Sequence, residues 1–336
     1  MLNQFEELKK CPNPYCLSQD LVFLFKSPDR LTNLPGEFSL CRCEKCGLVF
    51  QNPRVKEEDI GLYYTDKLGY YNPPAEQTKQ TIKTKAKNFL KNQTLVNHFN
   101  YPLAKKSFLL FCLSLPFRRW LKVAGFPKFK SNGSILDIGC SHGEFLEEMK
   151  NFGWQVRGIE MDEKSAVFAK EKRNLEVSVG RVENCHFEKE EFDAITMRMV
   201  LEHLYNPFDV LKIITSWLKK EGELIFSIPY FDGFEFEWFK NYCYALHLPN
   251  HITFFNKKVL KKVLQENGFQ KIKFYHHFFD RDIVASSQYK YQENKSKFYK
   301  FLGYSRFARL FIIKPLVFML ALLGKTSRVT IYAQKI

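Results

Sequence analysis

The 336-residue sequence contains no run of 18 uncharged apolar residues, the length a helix needs to cross a bilayer. Its opening, MLNQFEELKKC, lacks the apolar centre of a secretory leader. A cytoplasmic protein is therefore expected. Acids are nearly missing from two flanks. Residues 72–130 hold 12 Lys and Arg against Glu76 alone, and residues 285–336 hold 10 against Glu293 alone. The formal charge of +15 is thus a property of these flanks, where leucines and aromatics accompany the cations. That pattern suits peripheral contact with an anionic membrane, at its inner face, better than nucleic acid. A hydrophobic content of 45% is enough for a full core and excludes a disordered chain.

Nine cysteines are present, five of them between Cys11 and Cys46. A disulfide framework is a poor solution in a chain of this size, so the crowding points to a metal. Cys11 and Cys16 form one knuckle and Cys43 and Cys46 a second, separated by a hairpin-sized stretch, with Gly47 allowing the tight turn that follows. This is zinc-ribbon spacing, although four residues rather than two separate the first pair. The four expected ligands of a structural Zn²⁺ are Cys11, Cys16, Cys43 and Cys46; Cys41 is left outside the set.

From Gly133 onward strands alternate with helices: SILDIG, a helix from Glu144, QVRGIE, a helix from Lys164, LEVSVG, FDAITMRM, a helix from Pro207, then GELIFSIP. Later come a helix from Lys257, KIKFYHHF and a last strand, RVTIYAQK. Such alternation predicts an α/β fold with a doubly wound, Rossmann-like sheet. We expect a zinc-ribbon-like module over 1–60 and a helical basic linker over 61–131. The main domain is expected over 132–284 and 326–336, interrupted by a basic and apolar helical insertion at 285–325.

The turn in ILDIGCSHGEF, residues 135–145, discriminates between nucleotide ligands. A dinucleotide wants glycine where Ser141 and Glu144 stand, and Glu144 would set a carboxylate against a pyrophosphate at the helix N-terminus. S-adenosylmethionine carries no phosphate and has two cationic centres, so an acid-bearing turn suits it. Asp137 is expected to meet its methionine end, and Glu160, at the end of the next strand, to accept the ribose hydroxyls.

These residues resemble the class I S-adenosylmethionine-dependent methyltransferases, over residues 133–275 and the last strand. ILDIGCSHGEF is similar to the first motif, VRGIE to the ribose strand, and FDAITMRMVLEHLYNPFDVL to the fourth strand with its L-E-H continuation. GELIFSIP and HLPNHITFFNKKVLKKVLQENGF resemble later parts of one bacterial subfamily, in which a cysteine ribbon ending like CGLVFQNP often precedes the domain. The resemblance implies a methyltransferase whose donor contacts are Asp137, Gly139, Cys140, Ser141, Gly143, Glu160, Met161, Glu183 and Met197. Arg181 stands where an acid often meets the adenine amine, with Glu183 two residues on. Related ubiquinone-type enzymes bind a metal through an acid three residues before the L-E-H glutamate; Met199 occupies that place, which weighs against a catalytic metal at Glu202 and His203. His203 and His251 are the candidate general bases, and Glu202 is expected to position their loop. The aromatic run PYFDGFEFEWFKNYCYALHLP is expected to wall an acceptor pocket. The implied acceptor is a small molecule, such as a surface-glycan sugar or a lipid-linked intermediate. The alternative is a nucleic-acid-directed methyltransferase or a zinc-ribbon nucleic-acid-binding protein.

Overall fold

The computed structural model describes residues 4–64 and 81–336. The part of the expected basic linker at 65–80 lies outside the described residues. Thirteen strands are described. Five belong to the N-terminal region: β1 (Phe5–Glu6), β2 (Leu21–Pro28), β3 (Glu37–Cys43), β4 (Val49–Gln51) and β5 (Arg54–Val55). The others are β6 (Ser134–Ile138), β7 (Gln155–Glu160), β8 (Val177–Val179), β9 (Phe192–Arg198), β10 (Leu218–Pro229), β11 (Thr253–Phe254), β12 (Phe269–His276) and β13 (Arg328–Lys335).

Seven strands form the central sheet in the order β12-β13-β10-β9-β6-β7-β8. β6 to β10 run parallel, while β13 is antiparallel to both of its neighbours. The central strands are almost wholly buried, as parallel strands covered on both faces must be. On one face Leu136, Ile138, Ile195, Met197 and Phe226 pack with helices α5 (Pro207–Trp217) and α7 (Lys257–Glu266), numbered in chain order with those below. On the other, Ile135 and Ala194 pack with α1 (Ile82–Phe99), α2 (Phe108–Val123) and α3 (Glu144–Asn151) through Leu95, Leu121, Phe126 and Met149. Helix α4 (Glu163–Arg173) starts at Asp162, whose carboxylate accepts the Ser165 amide at 2.7 Å as an N-cap.

The cysteine region is not a separate body. β2, β3 and β4 are continued by β11, so a strand from beyond residue 250 completes the N-terminal sheet. The Gln51 amide donates to the carbonyls of Pro249 and His251, both at 2.6 Å. Cys11, Cys43, Leu48 and Phe50 share one core with Phe255 and Leu260. The chain boundary near residue 60 therefore marks no boundary in packing.

The helical excursion before the last strand begins at Arg281, earlier than the expected residue 285. It comprises α8 (Arg281–Asn294), α9 (Lys297–Tyr304) and α10 (Arg306–Ala308), then a π-helical turn at Arg309–Ile313 and α11 (Lys314–Leu322). The aromatic run corrects another expectation. Phe236 and Phe239, on α6 (Phe234–Phe239), are buried with Ile283 and Leu302 of this excursion, so most of these rings fill a second core. Only Tyr244 and His247 of the segment reach the hollow described next.

Candidate functional site

A hollow of about 740 Å³ opens at the carboxyl edge of the sheet, where β6, β7 and β9 end. This is the place at which an open α/β sheet takes its ligand, because strand order reverses there. The turn after β6 builds one wall. Gly139 lies at φ +71°, and a Cβ there would fall 2.6 Å from a Val200 methyl, so the backbone needs glycine to pass so closely. Ser141, also at positive φ (+49°), gives its amide to Glu160 at 2.7 Å. The other Glu160 oxygen accepts the Asp162 amide at 2.9 Å. Two backbone bonds hold this carboxylate at the hollow's edge, and burial pushes its pKa up. Met161 and Glu183 line the same space.

Four residues of the expected donor set stand elsewhere. Asp137 is fully buried beneath the turn, with one oxygen accepting Thr196 Oγ1 and the other Arg198 Nη2, both at 2.6 Å. Its negative charge is thus engaged by Arg198, and the guanidinium, not the carboxylate, faces the hollow. Met197 is in the core, because β9 is buried on both faces and alternation cannot mark a ligand side. Gly143 serves packing: a Cβ there would meet Leu175 Cδ1 at 2.4 Å. Cys140 is buried against Gly158 and borders a smaller adjoining hollow, with Glu144 and Arg198. Glu144 does stand at the start of α3, largely exposed, 3.7 Å from Arg173.

Several lining residues carry no local sequence signal. Arg181, in the place expected for an acid, is salt-bridged to Glu57 of the N-terminal region, which also lines the hollow. Arg198 was readable as a lone cation ending an apolar strand; its guanidinium carbon lies 3.8 Å from the Phe145 ring centroid. The far half of the hollow is made by Tyr244, His247, Phe279, Arg281 and Arg328. Arg328 Nε donates to both Asp282 oxygens, at 2.8 and 3.1 Å, which keeps this half-buried cation charged.

His203 and His251 meet at the middle of the hollow, ring centroids 4.6 Å apart. His203 Nδ1 is 3.0 Å from the Asn250 carbonyl and 2.9 Å from the Tyr64 hydroxyl. A carbonyl only accepts, so Nδ1 carries the proton and Nε2 keeps a lone pair. Burial holds His203 down at about 4, so the ring is neutral at ordinary pH. His251 Nδ1 likewise donates to the Ala245 carbonyl at 3.0 Å, leaving Nε2 3.9 Å from Glu202 Oε1.

Glu202 is wholly buried and neither carboxylate oxygen has a hydrogen-bond partner among the described residues. Its backbone does position the loop, since its carbonyl accepts the Ile252 amide at 2.8 Å. Burial pushes its carboxyl up to about 8, so it is protonated at neutral pH. A raised folded-state value means that Glu202's contribution to stability is intact below about pH 4.5 and is lost as pH rises through about 8. In Glu202→Gln, thermal melting at successive pH values is expected to fall off less steeply over that window. The gap should widen by no more than about 1.4 kcal/mol per pH unit. Parallel curves would show that Glu202 is already ionised.

The four cysteine sulfurs form a second cluster. Cys11 and Cys46 are 3.6 Å apart, as are Cys16 and Cys43, and all four lie within 4.8 Å of one another. Tetrahedral sulfurs about 2.3 Å from one zinc would stand about 3.8 Å apart, so the cluster fits that ion. The hydrogen bond from Cys11 pulls Cys46 down to about 5, and the same bond, with burial, pushes Cys11 up; four crowded sulfurs favour a cation in place of protons. Cys41 lies outside the group, facing the Asn52 carbonyl. Glu202, His203 and His251 are the other cluster of potential ligands among the described residues.

Residues 114–273 match a protein family described as a methyltransferase domain. A ubiquinone biosynthesis O-methyltransferase of Glaesserella parasuis is 32% identical over 112 residues, covering 29% of this chain and 48% of that protein. An uncharacterised protein of Methanocaldococcus jannaschii is 29% identical over 141 residues, 42% of this chain and 66% of that one. The matched region spans about half the length of the first ubiquinone-type relatives. Among solved structures, an S-adenosylmethionine-dependent methyltransferase of Thermotoga maritima aligns at TM-score 0.44 and 20% identity, over 75% of this chain and 97% of that one. Phosphoethanolamine N-methyltransferase 2 of Haemonchus contortus, in complex with S-adenosylmethionine, aligns at 0.45 and 16%, over 86% and 62%. Residues 114–273, just under half of the chain, are thus similar to a methyltransferase domain.

Proposed function

We propose that the protein transfers a methyl group from S-adenosylmethionine to a small-molecule acceptor. The observation that carries this reading is Glu160, held by two backbone amides at the edge of a hollow whose entry turn needs glycine. Glu160 is positioned to accept the ribose hydroxyls, Met161 and Val182 to flank the adenine, and Arg198 to meet the methionine carboxylate. When bound, the donor supplies a methyl group already activated by a positive sulfur. The protein's own part is to orient the acceptor and exclude water.

His203 is the favoured base for a hydroxyl acceptor. Its Nε2 lone pair is fixed by the Asn250 carbonyl, and its low pKa keeps it unprotonated. His251 and protonated Glu202 stand beside it as a neutral pair, the two rings 4.6 Å apart. Zinc at Cys11, Cys16, Cys43 and Cys46 is read as structural, since the cluster lies in a core and not at the hollow. The ubiquinone-type relatives favour a small acceptor, and the basic apolar flanks are compatible with one carried on a lipid or a surface glycan. The cysteine region carries no cationic face of its own, which weighs against nucleic acid. No helix among the described residues is long and apolar enough to cross a membrane.

Mass spectrometry of whatever small molecule co-purifies, with metal analysis of the same sample, tests this. The expected result is S-adenosylmethionine or its demethylated product, with one zinc per chain. A bound dinucleotide, or a protein free of zinc whose four cysteines are oxidised, would contradict it.

A further inference from the structure

Two segments distant in the chain each expose apolar residues, and the two touch one another. On α2, Phe108 is 84% exposed, and Leu109 and Leu113 point outward with it. On the excursion, Phe307, Phe311 (66% exposed) and Leu323 do the same. The two are joined: Arg119 of α2 donates to the Ala321 carbonyl of α11, and Phe278, under the Arg119 guanidinium, stacks on Phe318 at 5.7 Å. Residues 101–130 and 294–327 contain no Asp or Glu. Lys105, Arg118, Lys300, Arg306, Lys314 and Lys325 are exposed around this face, and none has an acidic partner among the described residues. The face adjoins the hollow, because Phe279, next to Phe278, lines it, and so does Asp280, which is salt-bridged to Arg309.

We propose that the face formed by α2 and the α9–α11 excursion docks on an anionic bilayer surface, setting the mouth of the hollow at the level of the lipid headgroups. Exposed aromatics and leucines bounded by cations match an interface with acyl chains below and phosphates above. A uniformly cationic rim repels a second copy of itself. A nucleic acid would satisfy the cations and could stack bases on the rings, but it offers nothing to the exposed leucines among them. The bearing of this surface on the acceptor, an amphiphile entering from the lipid side, rests on the methyl-transfer reading; the docking itself does not.

Co-sedimentation of the full chain with vesicles of phosphatidylcholine, or of an equal mixture of phosphatidylcholine and phosphatidylglycerol, tests the proposal. Binding is expected to the anionic vesicles only, weakening as salt is raised. Phe108→Glu with Phe311→Glu is expected to reduce the bound fraction at least about tenfold, and Arg306→Glu with Lys314→Glu to do so independently. Melting temperature and calorimetric affinity for S-adenosylmethionine should be unchanged in both, which separates a failed surface from a failed donor site. Three results would overturn the proposal: no binding to either vesicle, self-association that the same substitutions abolish, or retention on RNA or DNA but not on vesicles.

Discussion

His203→Gln is expected to lower kcat for a hydroxyl acceptor by about 10²- to 10⁴-fold, with donor affinity unchanged. The size follows from what the ring does. Its Nδ1 proton is committed to the Asn250 carbonyl, so the opposite nitrogen meets the acceptor as a lone pair, and no neighbouring residue duplicates it. His251 is nearby, but its Nε2 faces Glu202. Because burial lowers His203 to about 4, activity should rise through that pH and not through the ordinary histidine value of 6.5. A steady-state pH profile of the unaltered protein, alongside the variant, checks both statements. A loss under about threefold, or a profile centred on 6.5, would remove His203 as the base.

The second large effect concerns the cysteine cluster. Cys43→Ser, or removal of zinc by a chelator, is expected to lower the melting temperature of the whole chain by at least about 10 °C, in one transition. A separable ribbon would melt alone and leave the methyltransferase domain intact. Here β4 is hydrogen-bonded to β11, and Cys43 shares its core with Phe255 and Leu260. Gln51 further ties the sheet to the His251 backbone, so partial loss of zinc should depress kcat before the fold is lost. Differential scanning calorimetry with metal analysis reads the first effect, and turnover during chelator titration the second. Two independent transitions would contradict the shared core.

What the sequence made legible is the part governed by local rules. Strand and helix alternation announced the sheet, the cysteine spacing picked out four sulfurs that the fold brings together, and the turn at 139–143 marked the sheet edge where the hollow opens. Period-two alternation could not assign Met197, because β9 is covered on both sides. Asp137 lies outside the hollow for a related reason: its partner Arg198 is 61 residues away, and no spacing announces a carboxylate already paired from the neighbouring strand. Gly143 is expected as a ligand glycine, and the close approach of α4 and Leu175 is a requirement for glycine that its spacing did not announce. The aromatic run reads alike as pocket wall and as core; the helices of 281–322, which cover it, decide between them. Glu57, His247, Arg281 and Arg328 reach the hollow from four separate segments, a convergence that only the folded chain reveals.

The donor site is the premise of the methyl-transfer reading, and calorimetric titration of the purified chain with S-adenosylmethionine and with NAD measures it most directly. Micromolar binding of the first, none of the second, and a loss of about 100-fold in Glu160→Ala are the results expected if that carboxylate grips the donor's ribose. NAD bound at comparable strength, or a Glu160→Ala variant that keeps full affinity, would contradict it.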